Sequence, residues 1–348
     1  SPRRTGATLK QEHTLSQALL VSPHRTLNPR DADFFFVPVH GGCYISRFTR
    51  PTPRHNLYVK PRGGAPILGN AHYRAALDWV RSRHPWWNAS GGADHMFAFP
   101  HDEGSCVAPI ELRPAILISS WGRTELGPRN STTTMGEHNW YNRRTLPLMY
   151  ASYRCFEPGK DIVMPVFTSL SQLATSPYVA EGMPRGGAAA RSAPKRRLLF
   201  HFRGQILRRT PKPCPADLGE SRLISADVRY VPTYSFGIRQ QLLALYGCKT
   251  GKEIANPKDL VGVPWCGPDV VVSDRHTTNY LDEMANATFC GVFPGNGWGH
   301  IESPLLLGCI PVVVQDGILT AWEDVLDFDS FALRLPRAKL PRLAEELR

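Results

Sequence analysis

The chain has 348 residues, 42% of them hydrophobic and 10% aromatic, enough for two α/β domains with separate cores and too apolar for global disorder. Its 29 glycines and 31 prolines point to many loops and sharp turns rather than long helical bundles, and no apolar run approaches the roughly 20 residues that span a bilayer. The formal charge of +11 is concentrated, with nine basic and no acidic residues from Arg185 to Lys212; no zinc-finger spacing or RNP-like strand accompanies it, and nucleic acid is discounted.

Short apolar runs alternate with amphipathic stretches, the pattern of parallel sheets covered by helices. In the first half, Phe34–Val37, His95–Phe99, Ala115–Ile118 and Asp161–Met164 read as buried strands, and a helix is predicted from about Tyr73 to Arg83, ended by Pro85. A basic Gly/Ala-rich stretch over about 175–195 then breaks the pattern; it reads as a solvated linker or as an attractor for anionic substrates. The second half restarts the alternation with strands at Leu198–Phe202, Val270–Val272, Phe289–Phe293 and Ile310–Val314. Helices are predicted over Ile238–Tyr246, Tyr280–Ala285 and Ile301–Leu307, the first stopped by Gly247. The expected architecture is α/β, with two Rossmann-like domains (1–174 and 196–348) facing each other across a cleft.

Eight cysteines are scattered without a C-x-x-C pair, which leaves zinc and thioredoxin-like chemistry unsupported and is compatible with disulfides. Sequons at Asn88, Asn130 and Asn286 point the same way, to a secretory lumen. The opening Ser1-Pro2-Arg3-Arg4 lacks the layout of a signal peptide, so any membrane anchor is expected outside this chain.

The most informative segment runs from Phe289 to Ser303: a strand, a glycine-rich turn through Gly295, Gly297 and Gly299, and a helix start carrying Glu302. Glycines let a bulky ligand approach the backbone, helix-start amides suit a diphosphate, and a carboxylate one turn in suits ribose hydroxyls. The bland alternative is a tight turn with a capping glutamate. A rival is the dinucleotide fingerprint, which Gly295 and Gly297 begin, His300 breaks at the third position, and Asp316 follows as a ribose-binding acid. That fingerprint normally opens its domain, whereas this turn follows three candidate strands.

The stretch Cys290–Pro336 resembles the signature region of the exostosin family, glycosyltransferase family 47. The resemblance rests on Phe289-Cys290, Pro294–Trp298, Gly308–Val313, Trp322–Phe328 and Phe331–Pro336. Earlier motifs follow in the family's order: Ala32–Pro38, Asp94-His95 with His101–Cys106, Lys160–Pro165, Leu199–Gly204 and Tyr234–Arg239. His300-Ile301 departs from the arginine that several members carry nearby.

The resemblance implies a GT-B fold and an inverting transfer from a nucleotide sugar, most often a UDP-sugar, to a glycan or glycoprotein acceptor. Donor binding is then expected from the C-terminal domain through Arg203, Arg239, Gly297, Trp298, His300, Glu302 and Ser303. The two arginines would neutralise the diphosphate or, on the plainer reading, serve structural ion pairs. The base that takes the acceptor proton is expected after an N-terminal strand: Asp102 first, Glu103 second and His40 third. No cofactor or metal is required, because Asp31-Ala32-Asp33 and Asp327-Phe328-Asp329 match D-x-D only in structural settings. The implied setting is the Golgi or endoplasmic reticulum lumen, in homo- or hetero-oligomers with related transferases. Two alternatives stand beside it: a non-catalytic glycan-binding partner subunit, and a nicotinamide-dependent oxidoreductase.

Overall fold

The computed structural model describes residues 4–44, 64–101, 104–125, 154–168, 173–174, 176, 178–180, 183–184, 196–205, 234–246, 269–273, 277–295 and 299–348. The chain divides into two compact units, one of residues 1–168 with 317–326 and the other of 169–316 with 327–348. Both are α/β with parallel sheets, the fold class that the alternating apolar runs imply.

In the first unit, helix α1 (Arg4–Leu20) precedes strand β1 (Phe35–Val37). Helices α2 (Gly64–Arg83) and α3 (Trp86–Ser90) lead to β2 (His95–Phe99), followed by β3 (Ile116–Ser119) and β4 (Ile162–Val163). The four strands lie in sequence order and all pair in parallel. Alternation divides their side chains between two faces. Phe97, Phe99 and Leu117 pack against Tyr73, Leu77 and Val80 of α2, which recur at helical spacing. Ala98, Ile118 and Met164 turn the other way, toward Leu15 of α1. Burying each such large apolar side chain contributes about 1.5–3 kcal/mol.

The second unit builds a five-stranded sheet from β5 (Leu198–Arg203), β6 (Val270–Ser273), β7 (Ala287–Val292), β8 (Ile310–Val313) and β9 (Leu333–Arg334). Its order is β9-β8-β7-β5-β6, parallel throughout. Helix α4 (Ile238–Tyr246) covers one face, where Ile238, Leu242 and Tyr246 meet Phe200, Phe202, Val270 and Val272. Leu340 and Leu343 join that core, the latter opening the short α7 (Leu343–Glu346). Helix α5 (Tyr280–Ala285) covers the other face, where Met284 meets Cys290, Leu307 and Cys309. The helix α6 (Glu302–Leu306) connects β7 to β8, and a disulfide between Cys290 of β7 and Cys309, just before β8, fastens the two.

Residues 317–326 leave the second unit to complete the first. Ile318-Leu319 pair antiparallel with Gly122-Arg123, while Ala321 packs with Phe156 and Val163. The Thr320 amide and hydroxyl both donate to the Glu323 carboxylate, at 2.8 and 3.2 Å, which locks the turn.

Candidate active site

The strand order of the second unit reverses beside β5, with β6 on one side and β7 on the other. Loops leaving the carboxyl ends of two such strands diverge and open a crevice, the usual ligand position in an open parallel sheet. The sequence places Arg203-Gly204-Gln205 after β5 and Phe293-Pro294-Gly295 after β7.

Arg239, the second residue of α4, spans these two ends. Its Nη1 donates to the Gln205 carbonyl at 3.1 Å and to the Tyr234 hydroxyl at 3.3 Å, and its Nη2 donates to the Phe293 carbonyl at 2.8 Å. The guanidinium lies 5.3 Å from the centre of the Phe202 ring and 5.6 Å from that of Tyr234. A planar cation with a rigid donor fork suits this seat between aromatic faces and carbonyls; a lysine would not fill it. Gly295 passes so close that an added Cβ would lie 2.5 Å from Nη2 and push the guanidinium from its seat. The turn leading into α4 is strained, with Ser235 at φ +56° and Phe236 at φ +50°. Each such residue costs about 1–3 kcal/mol, a strain that persists where the surroundings fix the conformation. Here the Arg239 amide donates to the Ser235 hydroxyl at 3.3 Å, and the Gln240 side chain donates to the Tyr234 carbonyl at 2.8 Å.

Arg203 is held differently. It forms a bidentate ion pair with Glu283 of α5, from Nε to Oε2 at 2.8 Å and from Nη2 to Oε1 at 3.0 Å. His201 shares that carboxylate, with Nε2 3.2 Å from Oε2. Burial lowers the His201 pKa, although the Glu283 contact opposes it; the Arg203 and His201 bonds hold the Glu283 carboxyl below its ordinary range against desolvation. The alternation of β5 explains the division: Phe200 and Phe202 face α4, while His201 and Arg203 face α5.

On the other bank, Glu302 opens α6 and is 9% exposed, Ser303 beside it is half-buried, and His300 is exposed. Gly297 and Trp298 lie outside the described residues, as do Asp102 and Glu103 of the first unit. The structure therefore brings Arg239 to the glycine-rich turn and gives Arg203 to Glu283. Asp316, the acid of the dinucleotide reading, accepts the Arg337 amide at 3.1 and 3.3 Å through its two carboxylate oxygens.

In the first unit, His101 follows β2 and its carbonyl accepts the Gly104 amide at 2.7 Å. His40, at φ +53°, follows β1. Beside it is a group that the sequence did not single out. Glu12 of α1 is buried and accepts the Gly42 amide at 3.1 Å, with the amides of Gly41 and Cys43 also within its reach. Burial raises its pKa to about 7 despite those amides. Tyr73, whose hydroxyl donates to the Ala98 carbonyl at 2.5 Å, lies in the same neighbourhood and is held protonated by burial. Among the described residues no group of three His, Cys, Asp or Glu side chains is placed to hold a metal ion. Asp31 of the first D-x-D accepts Asn28 Nδ2 at 2.7 Å.

The family model for the Exostosin GT47 domain matches residues 4–348. The chain is 26% identical, over 349 aligned residues, to a probable beta-1,4-xylosyltransferase of Arabidopsis thaliana, covering 98% of this chain and 65% of that protein. It is 25% identical over 347 residues to a probable glucuronosyltransferase of Oryza sativa subsp. japonica, covering 94% and 60%. With a probable glucuronoxylan glucuronosyltransferase of Arabidopsis thaliana the identity is 24% over 344 residues, covering 97% and 57%. The chain thus spans about three fifths of the length of these relatives.

Proposed function

We propose, from the premise that this chain belongs to the exostosin GT47 family, that it transfers a sugar from a nucleotide donor, a UDP-sugar, to a hydroxyl of a glycan, with inversion. The observation that carries this reading is the arrangement at the strand reversal of the second unit. There Arg239 ties the ends of β5 and β7 beside Gly295, and Glu302 opens the helix that follows the turn.

The chemistry asked of the chain is limited. A base takes the proton of the acceptor hydroxyl while that oxygen attacks the anomeric carbon. The bond from that carbon to the diphosphate oxygen breaks, and UDP leaves with the electron pair. Fixed cationic groups stabilise the leaving diphosphate without reorganisation at the moment of reaction. Arg239 has the necessary rigidity; Arg203 supplies a second charge, moderated by Glu283. Glu302 accepts from the ribose hydroxyls, with Gly297, Trp298, His300 and Ser303 shaping the pocket. Asp102, then Glu103 and His40, remain the candidates for the base.

Relatives carry the names of a probable xylosyltransferase and a probable glucuronosyltransferase, which makes UDP-xylose and UDP-glucuronic acid the first donors to try. A secretory lumen is supported by disulfides at Cys106–Cys155 and Cys290–Cys309, and by the exposure of Asn88 and Asn286. No described helix is long and apolar enough to cross a membrane.

The test is thermal stabilisation of the purified protein by UDP, UDP-sugars and NAD, repeated with Glu302→Ala. A ligand at about 100 times its Kd stabilises by about 2.7 kcal/mol, which is easily read as a shift in Tm. The expected result is a shift with UDP that Glu302→Ala abolishes. A folded protein that answers no uridine compound would fit the partner-subunit reading, and a shift with NAD alone the oxidoreductase.

A further inference from the structure

We propose that Asn88 and Asn286 each carry an N-linked glycan, set at the amino edge of the parallel sheet in their own unit. The proposal rests on the reading of a secretory lumen, which the two disulfides support without reference to the sequons. Asn88-Ala89-Ser90 lies in α3, and Asn286-Ala287-Thr288 runs from the end of α5 into β7. A bulky hydrophilic modification needs its asparagine at the surface. Both asparagines are exposed, although each stands in a packed segment. Trp87 before Asn88 is 1% exposed, and Met284 and Ala287 around Asn286 are 3% and 0% exposed. Exposure thus belongs to the two asparagines and not to the segments that carry them.

Hydrogen bonds fix where the two lie. The Asn286 carbonyl accepts the amides of Arg197 and Leu198, both at 3.0 Å, which puts it level with the starts of β5 and β7. Its Nδ2 donates to the Asp282 carbonyl at 3.1 Å and closes the last turn of α5. In the first unit, Ser90 Oγ donates to the Asp94 carboxylate at 2.5 Å, and the Asp94 carbonyl accepts the Phe35 amide at 2.8 Å. That sequon is therefore tied to the residues where β1 and β2 begin. Both sheets are parallel, and the loops that gather ligands leave the opposite, carboxyl ends of such strands. An extended chain rises about 3.3 Å per residue, so β7 holds Asn286 about 20 Å from Phe293, whose carbonyl Arg239 engages. Glycans at the amino edges leave the carboxyl edge of each sheet uncovered.

The co-reactant is an oligosaccharide joined through a diphosphate to a polyprenyl lipid, used by the oligosaccharyltransferase of the lumen. The asparagine Nδ2 bonds to the anomeric carbon of the first sugar. The bond from that carbon to the diphosphate oxygen breaks, and the lipid diphosphate leaves with the electron pair. One of the two Nδ2 protons passes to a base of the transferase, and the other stays. The N–H that remains on Asn286 is enough for its one side-chain bond, to the Asp282 carbonyl. Alanine, and not proline, stands between asparagine and hydroxyl residue in both sequons, as the acceptor requires.

The chain is expressed in mammalian cells behind a cleavable secretion signal, as wild type and with Asn130→Gln, which removes the third sequon. Entry to the lumen is then assured, so an unmodified asparagine faults the site and not the localisation. Peptide-N-glycosidase converts each modified asparagine to aspartate, which peptide mass spectrometry reads at Asn88 and Asn286. The expected result is conversion at both positions, and the loss of one glycan in mass from each of Asn88→Gln and Asn286→Gln. Ser90→Ala and Thr288→Val keep the asparagine, break the sequon and are expected to lose the same glycan. Absence of conversion at either position of the secreted wild type would overturn the proposal there, whether or not any variant folds. Conversion here but not in the protein from its own cells would overturn occupancy through the lumenal premise alone. Thermal shifts with UDP, read before and after enzymatic removal of the glycans, test the placement. Equal shifts are expected, and a UDP shift that appears only after removal would overturn the amino-edge placement. If neither form answers a uridine compound, the donor reading fails while the two modification sites stand on the peptides.

Discussion

Arg239 and Glu12 illustrate how one side chain fixes backbone in each unit. Arg239 joins the carbonyls of Gln205 and Phe293 across the strand reversal, and its aromatic seat between Phe202 and Tyr234 leaves it little freedom. Glu12 gathers the amides of the turn at Gly41–Cys43 after β1. Because its pKa in the fold is about 7, above the ordinary 4.5, the folded protein binds the proton more tightly than the unfolded chain between those values. Stability from this group is fully present below about pH 4.5 and is lost as pH rises through 7. Glu12→Gln keeps an acceptor for the turn without the titration. The variant is expected to flatten this part of the stability–pH curve and to be more stable than wild type at pH 8, by up to about 3 kcal/mol. Urea unfolding at pH 5, 6, 7 and 8 measures it; parallel curves for the two proteins would contradict the assignment.

At the scale of elements, the strongest sequence signals gave the closest agreement. Helices over Ile238–Tyr246 and Tyr280–Ala285 have the expected bounds, because their apolar residues recur at helical spacing against a sheet. The expected helix at Tyr73–Arg83 begins earlier, at Gly64. Helix α1 was not legible at all, for a physical reason. Its buried positions include Gln11, Glu12 and Ser16, which bond to other backbone and side chains, so no apolar stripe marks the helix. Pairing of the cysteines was equally hidden, since it depends on which strands become neighbours. The Cys290–Cys309 bridge closes a span of 19 residues that contains the glycine-rich turn and α6. Replacing both cysteines by alanine is expected to cost about 3 kcal/mol on the chain-entropy account. Denaturant unfolding of the variant checks this, and an unchanged midpoint would mean that the bridge does not constrain the unfolded chain.

For the whole molecule, local periodicity announced two α/β halves but not the path between them. Residues 317–326 follow β8 in sequence and pack with Phe156 and Val163 of the first unit, a long-range choice that no local pattern carries. The candidate site, which no observation tests, rests on Gly295, Arg239 and Glu302, noticed because a glycine turn and charged residues at helix starts are conspicuous in sequence, whereas Gln315 reads in sequence as an ordinary polar residue entering a loop. Its side chain is buried with no hydrogen-bond partner among the described residues. The account's central claim is sugar transfer with inversion. Its most direct test follows the reaction by proton NMR, with UDP-xylose or UDP-glucuronic acid and a xylan oligosaccharide as acceptor. The account predicts donor-dependent extension of the acceptor, release of UDP, and a new linkage of anomeric configuration opposite to the donor's. A product that retains the donor's configuration would contradict the mechanism, and a folded, UDP-binding protein that extends no acceptor would contradict the claim of transfer.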